Sequence, residues 1–393
     1  DGTYLCKIVI IMKFEKIGDA TVSKIALGTS GSGSYSTATT SNIKSRIQLY
    51  NEAIELGINF FDTAELYGGG FAEEVLGKAI LNKRKDVFIA SKFNPNHSSC
   101  KSILNAVESS LKRLKTDYID LCQMHWPNPG IDYTEVITAI DRLLKEGKIK
   151  YFGLSNYSYP ELIDIKRNLG TISITAIENQ YNLARKEIEN DVLPFCVRNN
   201  ITVLAYSPLG QGKLIDTLSN NKYIKKLRYQ YDITTSQLLL NWLSSKKNVI
   251  PVVRTGNADH LKENIKALDI KCQLSESEKL NGLINIEIKN IAIKNIIIEN
   301  KNGRKVYKNA SEAISNKFDW IPSPNLLAER IKKYEVAEPI NLIKYNNQDK
   351  ETLYKVDAYD FLGENKKYWG WILANGESSE IPYISSDSFK IIP

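Results

Sequence analysis

The sequence that decides the fold lies in three stretches, FFDTAELYGGG at residues 60–70, FIASKFN at 88–94 and LCQMHWP at 121–127. Each begins as a short apolar run, typical of a buried strand, and continues into a polar loop. Four polar side chains fall at or just beyond the strand ends: Asp62, Tyr67, Lys92 and His125. Because the carboxyl ends of parallel strands meet at one rim of a barrel, we expect these side chains to lie together.

The alternation of apolar runs and amphipathic segments continues from about residue 24 to 270. Further candidate strands are KIALGT, YFGLSN, AIENQYN, TVLAYSP and VIPVVRT, and helical spacing is present in KSILNAVESSLKRLK and EVITAIDRLLKEGKI. Eight strand–helix repeats over roughly 250 residues predict an α/β fold, a (β/α)8 TIM barrel. A doubly wound open sheet is the competing fold, but LGTSGSGSY has the wrong glycine spacing for its phosphate-binding turn. Residues 12–25 predict a hairpin that would plug the bottom of the barrel.

The composition is ordinary for a globular protein: of 393 residues, 42% are hydrophobic and 25% are charged. A net charge of +7 suits an enzyme with an anionic cofactor and does not demand nucleic acid. The five cysteines are scattered without a CxxC pair, so we expect reduced thiols and a cytoplasmic location. No apolar run reaches the roughly 18 residues of a membrane span.

The four rim residues match the catalytic tetrad of the aldo-keto reductases, and the chain resembles that family over about residues 13–285. The resemblance rests on DTAxxY at 62–67, the lysine of FIASKF and HWP at 125–127. It implies an NADP(H)-dependent oxidoreductase, with NAD(H) as the alternative cofactor. Such an enzyme reduces an aldehyde, ketone or sugar-like carbonyl to an alcohol, or catalyses the reverse reaction.

The chemistry of the four side chains agrees with the tetrad roles. A free tyrosine has a pKa of about 10 and is a poor proton donor at neutral pH. We expect Tyr67 to be the acid, Lys92 to lower its pKa, Asp62 to hold Lys92, and His125 to orient the substrate carbonyl. Taken singly, each residue has a structural explanation, such as a helix cap or a solvated cation. Their order at successive strand ends favours a site.

The resemblance also implies cofactor contacts from the later strands and loops. For the nicotinamide and the pyrophosphate, these contacts would come from Ser155, Asn156, Gln180, Tyr206, Ser207, Leu209 and Gly210. For the 2′-phosphate and the adenine, they would come from Arg254, Thr255, His260, Glu263 and Asn264. His260 stands where many members of the family carry an arginine, and a neutral imidazole is a weaker partner for an anion.

The substrate pocket is expected at the same rim of the barrel. Phe93 and Trp126 follow the rim lysine and histidine, and the loop SGSGSYSTATT at residues 30–40 follows the first strand. Loops that vary freely supply the walls of such pockets. We therefore expect these residues to line it.

The composition changes near ENKNGRK at residues 299–305. We divide the chain into an N-terminal extension at 1–12, a barrel at 13–285, a linker at 286–302 and a small α+β domain at 303–393. The last unit resembles a degenerate ParB-like domain, related to sulfiredoxin, through PINLIKY, YKVDAY and EIPYI. VDAY replaces the glycine-rich phosphate turn of those relatives, and no basic stripe follows it, so we expect neither nucleotide nor nucleic-acid binding.

We expect a small-molecule carbonyl or alcohol substrate, no metal ion and no membrane partner. The C-terminal unit would pack near the barrel mouth or build a homo-oligomer interface. Two other functions stay open: a nicotinamide-binding regulatory or sensor protein, and a nucleotide- or DNA-associated role led by the C-terminal unit. Turnover of a reactive carbonyl separates the enzyme from both.

Overall fold

A computed structural model describes residues 12–286, 289–292, 296–297, 324–334, 340–346, 352–356, 380–385 and 389–391. The chain divides into two compact units, one of residues 1–125 and 132–280, the other of residues 126–131 and 281–393. The predicted N-terminal extension lies outside the described residues except for Met12.

The first unit is a closed barrel of eight parallel strands. Its strands, after the hairpin β1 Phe14–Ile17 and β2 Ala20–Ser23, are β3 Ala26–Gly28, β4 Phe60–Asp62, β5 Phe88–Phe93, β6 Ile119–Met124, β7 Ile149–Ser155, β8 Ile174–Gln180, β9 Thr202–Tyr206 and β10 Val249–Val253. They pair in chain order from β3 to β9, and β10 closes the barrel between β9 and β3. The closed order confirms the predicted TIM barrel and excludes the open sheet.

Helices follow the strands and cover the barrel. They are α1 Thr40–Glu55, α2 Phe71–Ala79, α3 Cys100–Leu114, α4 Tyr133–Lys145, α5 Tyr159–Asn168, α6 Val192–Arg198, α7 Lys213–Leu218, α8 Lys222–Tyr231, α9 Thr235–Ser244, α10 Ala258–Lys266 and α11 Leu274–Leu283. Local sequence sets their starts, because short polar side chains accept the first free backbone N–H groups. Thr39 caps α1, and reciprocal caps begin α3 at Ser99 and α9 at Thr234.

The hairpin β1–β2 packs against the inward-facing residues of the strands, as predicted. Ile17 and Val22 are fully buried, and they share one apolar cluster with Phe60, Leu121 and Leu204. Side chains therefore fill the barrel interior and leave no channel there. The polar side chains that could take part in chemistry are therefore expected at the carboxyl ends of the strands and in the loops that follow them.

The second unit contains a helix and seven strands among its described residues. These elements are α12 Pro324–Tyr334, β11 Ile284–Ile286, β12 Lys289–Ala292, β13 Ile296–Ile297, β14 Ile340–Asn346, β15 Thr352–Val356, β16 Glu380–Ser385 and β17 Phe389–Ile391. One sheet has the order β12-β16-β14-β15-β13, and β11 pairs with β17. The stretch assigned to a linker thus contributes β12 and β13, whose isoleucines pair with later strands.

Of the described residues, none belongs to a helix long and apolar enough to cross a membrane. The ParB-like resemblance stays a prediction, since most of its VDAY turn lies outside the described residues.

Candidate active site

Three of the four predicted rim residues come from adjacent strands of the barrel. Asp62 is the last residue of β4, Lys92 is the next-to-last residue of β5, and His125 directly follows β6. All three are buried, with 2%, 1% and 9% of their surface exposed. Tyr67 reaches the same place from the turn after β4. The parallel register therefore brings the four residues together, as the sequence predicted.

Lys92 is the centre of the cluster. Its ammonium donates hydrogen bonds to Asp62 Oδ1, to Thr63 O at 3.1 Å and to Tyr67 Oη at 3.4 Å. Burial alone would lower the pKa of Lys92, but Asp62 and then Glu178 outweigh it and hold that pKa well above its usual value. In the resting site Lys92 is therefore a cation directed at the phenol.

The net shift in the pKa of Tyr67 differs from the expectation drawn from the sequence, which was that Lys92 would lower that pKa. Burial raises its pKa above the ordinary value, Lys92 lowers it, and the carboxyl groups of Asp62 and Glu178 raise it again. Lys92 acts in the predicted direction, but it does not cancel the other contributions. The phenol thus keeps its proton through the neutral range, and the ammonium is positioned to stabilise the phenolate once that proton has left.

His125 is a neutral imidazole. Burial lowers its pKa well below the usual value, and the charge of Lys92 lowers it further. Its ring meets the Tyr67 ring edge-on, with centroids 5.8 Å apart. Within the described part of the chain, His125 Nδ1 has no hydrogen-bond partner. A buried polar atom without a partner is costly, so His125 Nδ1 is an unsatisfied group of the cluster.

Glu178 is a fifth member of the cluster that the sequence reasoning missed. It lies on β8 with 2% of its surface exposed, and its Oε2 is 3.2 Å from Lys92 Nζ. Burial and the charge of Asp62 raise its pKa to about 8. Strand alternation could have indicated it, because Glu178 and the predicted Gln180 are two residues apart and share one face of the strand.

The predicted nicotinamide contacts lie at the ends of β7 and β9. The side chain of Asn156 donates to His125 O and to Ser155 Oγ, both at 3.0 Å. Asn156 Oδ1 in turn accepts a hydrogen bond from Tyr206 Oη at 2.8 Å. Asn156 has a φ of 64°, a left-handed conformation uncommon outside glycine and often found at functional positions. Gln180 ends β8 and is half-buried.

The loop after β9 carries the residues predicted for the pyrophosphate. Ser207 and Gly210 have φ values of 52° and 56°, and Leu209 lies between them, half-buried. Asn182 Nδ2 donates to Ser207 O at 2.9 Å and fixes the start of the loop. Gly210 N donates to Ser207 O at 2.9 Å, which closes the loop into a tight turn.

The loop after β10 brings together two cations. Arg254 Nη1 donates to Ser30 O at 3.5 Å, and a Cβ on Gly31 would overlap it. Arg46 of α1 donates to Thr255 O at 3.2 Å. No sequence signal indicated Arg46, since 209 residues separate it from that partner. Two guanidinium groups beside the start of α10 fit an anionic phosphate.

The remaining residues predicted for the 2′-phosphate and the adenine are on or before α10. The hydroxyl of Thr255 accepts a hydrogen bond from Asn257 N at 3.0 Å and is therefore engaged in shaping the loop. Glu263 accepts from Thr234 Oγ1 at 2.5 Å, Asn264 is buried, and His260 is exposed. The two cations and the start of α10 suit a dinucleotide bearing phosphates.

The two predicted pocket residues fall in different units. Phe93 ends β5 in the barrel and is 2% exposed. Trp126 is grouped with the second unit, where the guanidinium of Arg330 lies 5.6 Å from the centre of its ring. Lys333 of α12 donates to Pro129 O at 3.1 Å in the same segment.

A parallel eight-stranded barrel with a buried acid, amine and imidazole and a half-buried phenol at its carboxyl rim defines a barrel enzyme built for proton transfer. The sequence profile of the Aldo/keto reductase family matches residues 24–285. The chain is 32% identical over 265 residues to methylglyoxal reductase YeaE of Escherichia coli strain K12, spanning 67% of this chain and 92% of that protein. The chain belongs to the aldo/keto reductase family.

Solved structures agree with this assignment. The thermostable aldo-keto reductase Tm1743, crystallised with the inhibitor epalrestat, superposes with a TM-score of 0.65 at 35% identity, over 69% of this chain and 99% of that one. An aldo/keto reductase from Klebsiella pneumoniae, in complex with NADP and acetate, superposes with a TM-score of 0.63 at 33% identity, over 70% of this chain and 95% of that one.

Proposed function

We propose that this protein is an NADP(H)-dependent reductase of small reactive aldehydes and ketones, with Tyr67 as the proton donor. One observation carries the proposal. Lys92 Nζ donates a hydrogen bond to Asp62 and lies 3.4 Å from Tyr67 Oη, and both Lys92 and Asp62 are buried. An ammonium held in this way stabilises phenolate, which is the form that a tyrosine acid leaves behind.

NADP(H) is the cofactor of this enzyme class, and the residues of the chain fit it. Bound at the rim, the reduced nicotinamide supplies a hydride to the carbonyl carbon. Ser155, Asn156 and Gln180 would hold the carboxamide, and Tyr206 would stack on the ring. Ser207, Leu209 and Gly210 would contact the pyrophosphate.

The adenosine end of the cofactor would lie on the loop after β10 and on α10. Arg254 and Thr255 would bind the 2′-phosphate, with His260 as a weaker partner for that anion, and Glu263 and Asn264 would contact the adenine. Arg46 lies beside this loop through Thr255 O and would add a second positive charge there. Two cations favour a cofactor with the additional phosphate over one without it.

His125 would orient the substrate. Because it is neutral, it can donate one hydrogen bond to a carbonyl oxygen without placing a second positive charge beside Lys92. Phe93 is proposed as an apolar wall of the substrate pocket. The relative from Escherichia coli is named for methylglyoxal, so a small dicarbonyl is the first substrate to examine.

The test is the consumption of NADPH with a panel containing methylglyoxal, phenylglyoxal and 4-nitrobenzaldehyde. Saturable turnover that Tyr67→Phe abolishes, while NADPH still quenches the protein fluorescence, supports the proposal. Tight NADPH binding with no turnover on any carbonyl would contradict it. That outcome would favour the alternative, a nicotinamide-binding regulatory or sensor protein.

A further inference from the structure

Glu178 is a buried carboxyl group that the tetrad chemistry does not use. Its side chain is 3% exposed, and its Oε2 lies 3.2 Å from Lys92 Nζ. That oxygen has no hydrogen-bond partner in the described part of the chain. The ammonium nearest to Glu178 is shared with Asp62, so a proton or a ligand must compensate if both carboxyl groups are to stay buried.

The charges around Glu178 indicate that the compensation is a proton. The titratable groups that face it are Asp62 from β4, Lys92 from β5 and Tyr67 from the turn after β4. One ammonium balances one carboxylate, and the hydrogen bond from Lys92 goes to Asp62. Burial then keeps the second carboxyl group neutral, and burial together with Asp62 raises the pKa of Glu178 to about 8.

We propose that Glu178 is the proton reservoir of the active site, returning to Lys92 the proton that Lys92 passes to Tyr67 after each reduction. Glu178 is a positioning residue, because it acts through Lys92 and not on the substrate. The inference rests on the proposed function, since the relay has a role only if Tyr67 loses its proton during turnover.

The relay balances as a sequence of proton transfers. The Tyr67 O–H bond breaks as the substrate oxygen gains its proton, which leaves phenolate. An N–H bond of Lys92 then breaks to re-form the phenol, across the 3.4 Å between the two atoms. The O–H bond of Glu178 breaks to restore the ammonium, across 3.2 Å. The Glu178 carboxylate recovers its proton from water when the site opens.

The relay requires a protonated Glu178, so it predicts how reduction depends on pH. The steady-state rate should fall as the pH rises through about 8, the pKa of Glu178. Tyr67 cannot produce this limb, because its own pKa is raised above the ordinary tyrosine value.

The test compares wild type with Glu178→Gln across the pH range, using NADPH and 4-nitrobenzaldehyde. We expect Glu178→Gln to lose the alkaline limb and to lower kcat at neutral pH about tenfold. The first turnover in stopped flow should stay within about twofold of wild type, because Tyr67 already carries its proton. A merely structural defect would slow the first turnover as well.

A matched control is Glu161→Gln, since Glu161 is also buried but lies in the capping box of α5, a role that glutamine can fill. Glu161→Gln should show the same fall in rate at alkaline pH as the wild type. If Glu178→Gln fails to bind NADPH, the pH–rate profile of Glu178→Asp provides the test of the relay instead. If the fall in rate at alkaline pH occurs at a different pH in this variant, the relay is supported. If it occurs at the same pH as in the wild type, the relay is contradicted.

An unchanged limb and unchanged kcat in Glu178→Gln would overturn the relay while leaving the proposed function intact. Absence of turnover in the wild type would instead remove the proposed function. The two failures are therefore distinguishable.

Discussion

The ammonium of Lys92 lies 3.4 Å from the hydroxyl of Tyr67 and donates at the same time to the carboxylate of Asp62. This arrangement fixes a cation beside a phenol that burial would otherwise keep from ionising. The same ammonium also lies against Glu178. Proton donation by Tyr67 and the stability of the buried cluster therefore both depend on Lys92. Catalysis and stability can be tested separately.

The first prediction concerns the buried charges. Breaking a buried ion pair usually costs about 3–5 kcal/mol of the free energy of unfolding. Asp62→Asn should cost less, because Glu178 can ionise and pair with Lys92 in its place. Asp62→Asn combined with Glu178→Gln should cost more than the two single changes together. Urea denaturation at neutral pH measures all four proteins, and additive losses would contradict the exchange of partners.

The second prediction concerns the 2′-phosphate. Arg254→Ala should raise KM for NADPH about tenfold, and Arg46→Ala should raise it by a smaller factor, because each change removes positive charge near that phosphate. KM for NADH should change little in both variants, since NADH lacks the phosphate. Steady-state kinetics with each cofactor provides the measurement. Arg142→Ala serves as a control, because Arg142 is exposed and pairs with Glu146 on α4; equal effects on NADPH and NADH would refute the assignment.

The third prediction concerns His125, whose pKa is well below 6.5 in the folded protein. The unfolded chain takes up a proton below about pH 6.5, while the folded protein does not. This contribution to stability is therefore present above that pH and is lost as the pH falls through the window below it. The free energy of unfolding should fall less steeply with acid in His125→Gln. Nitrogen chemical shifts of the imidazole should show a neutral ring at about pH 6, and a protonated ring there would refute the account.

Much of the barrel could be predicted from sequence because its signals are local. Short apolar runs with polar ends mark parallel strands, and DTAxxY places Asp62 and Tyr67 on one strand and its loop. Register then brings Lys92 and His125 to the same rim without further information.

The remaining features depend on contacts between distant parts of the chain. Arg46 meets Thr255 only after the barrel closes between β10 and β3. The raised pKa of Tyr67 depends on burial and on three titratable neighbours, and no single segment contains all of them. Glu178 had a local signal in the strand alternation, but its ion-pair contact with Lys92 appears only in three dimensions.

The most direct test of Tyr67 as the proton donor is a single-turnover measurement. Wild type and Tyr67→Phe, each in excess over NADPH so that all of the cofactor is bound, are mixed with excess 4-nitrobenzaldehyde, and the loss of nicotinamide absorbance is followed. Removing a general acid should slow this step by about 10²–10⁴-fold while the affinity for NADPH stays within a few-fold. A Tyr67→Phe rate within a few-fold of wild type would contradict the account, because the proton would then come from another group.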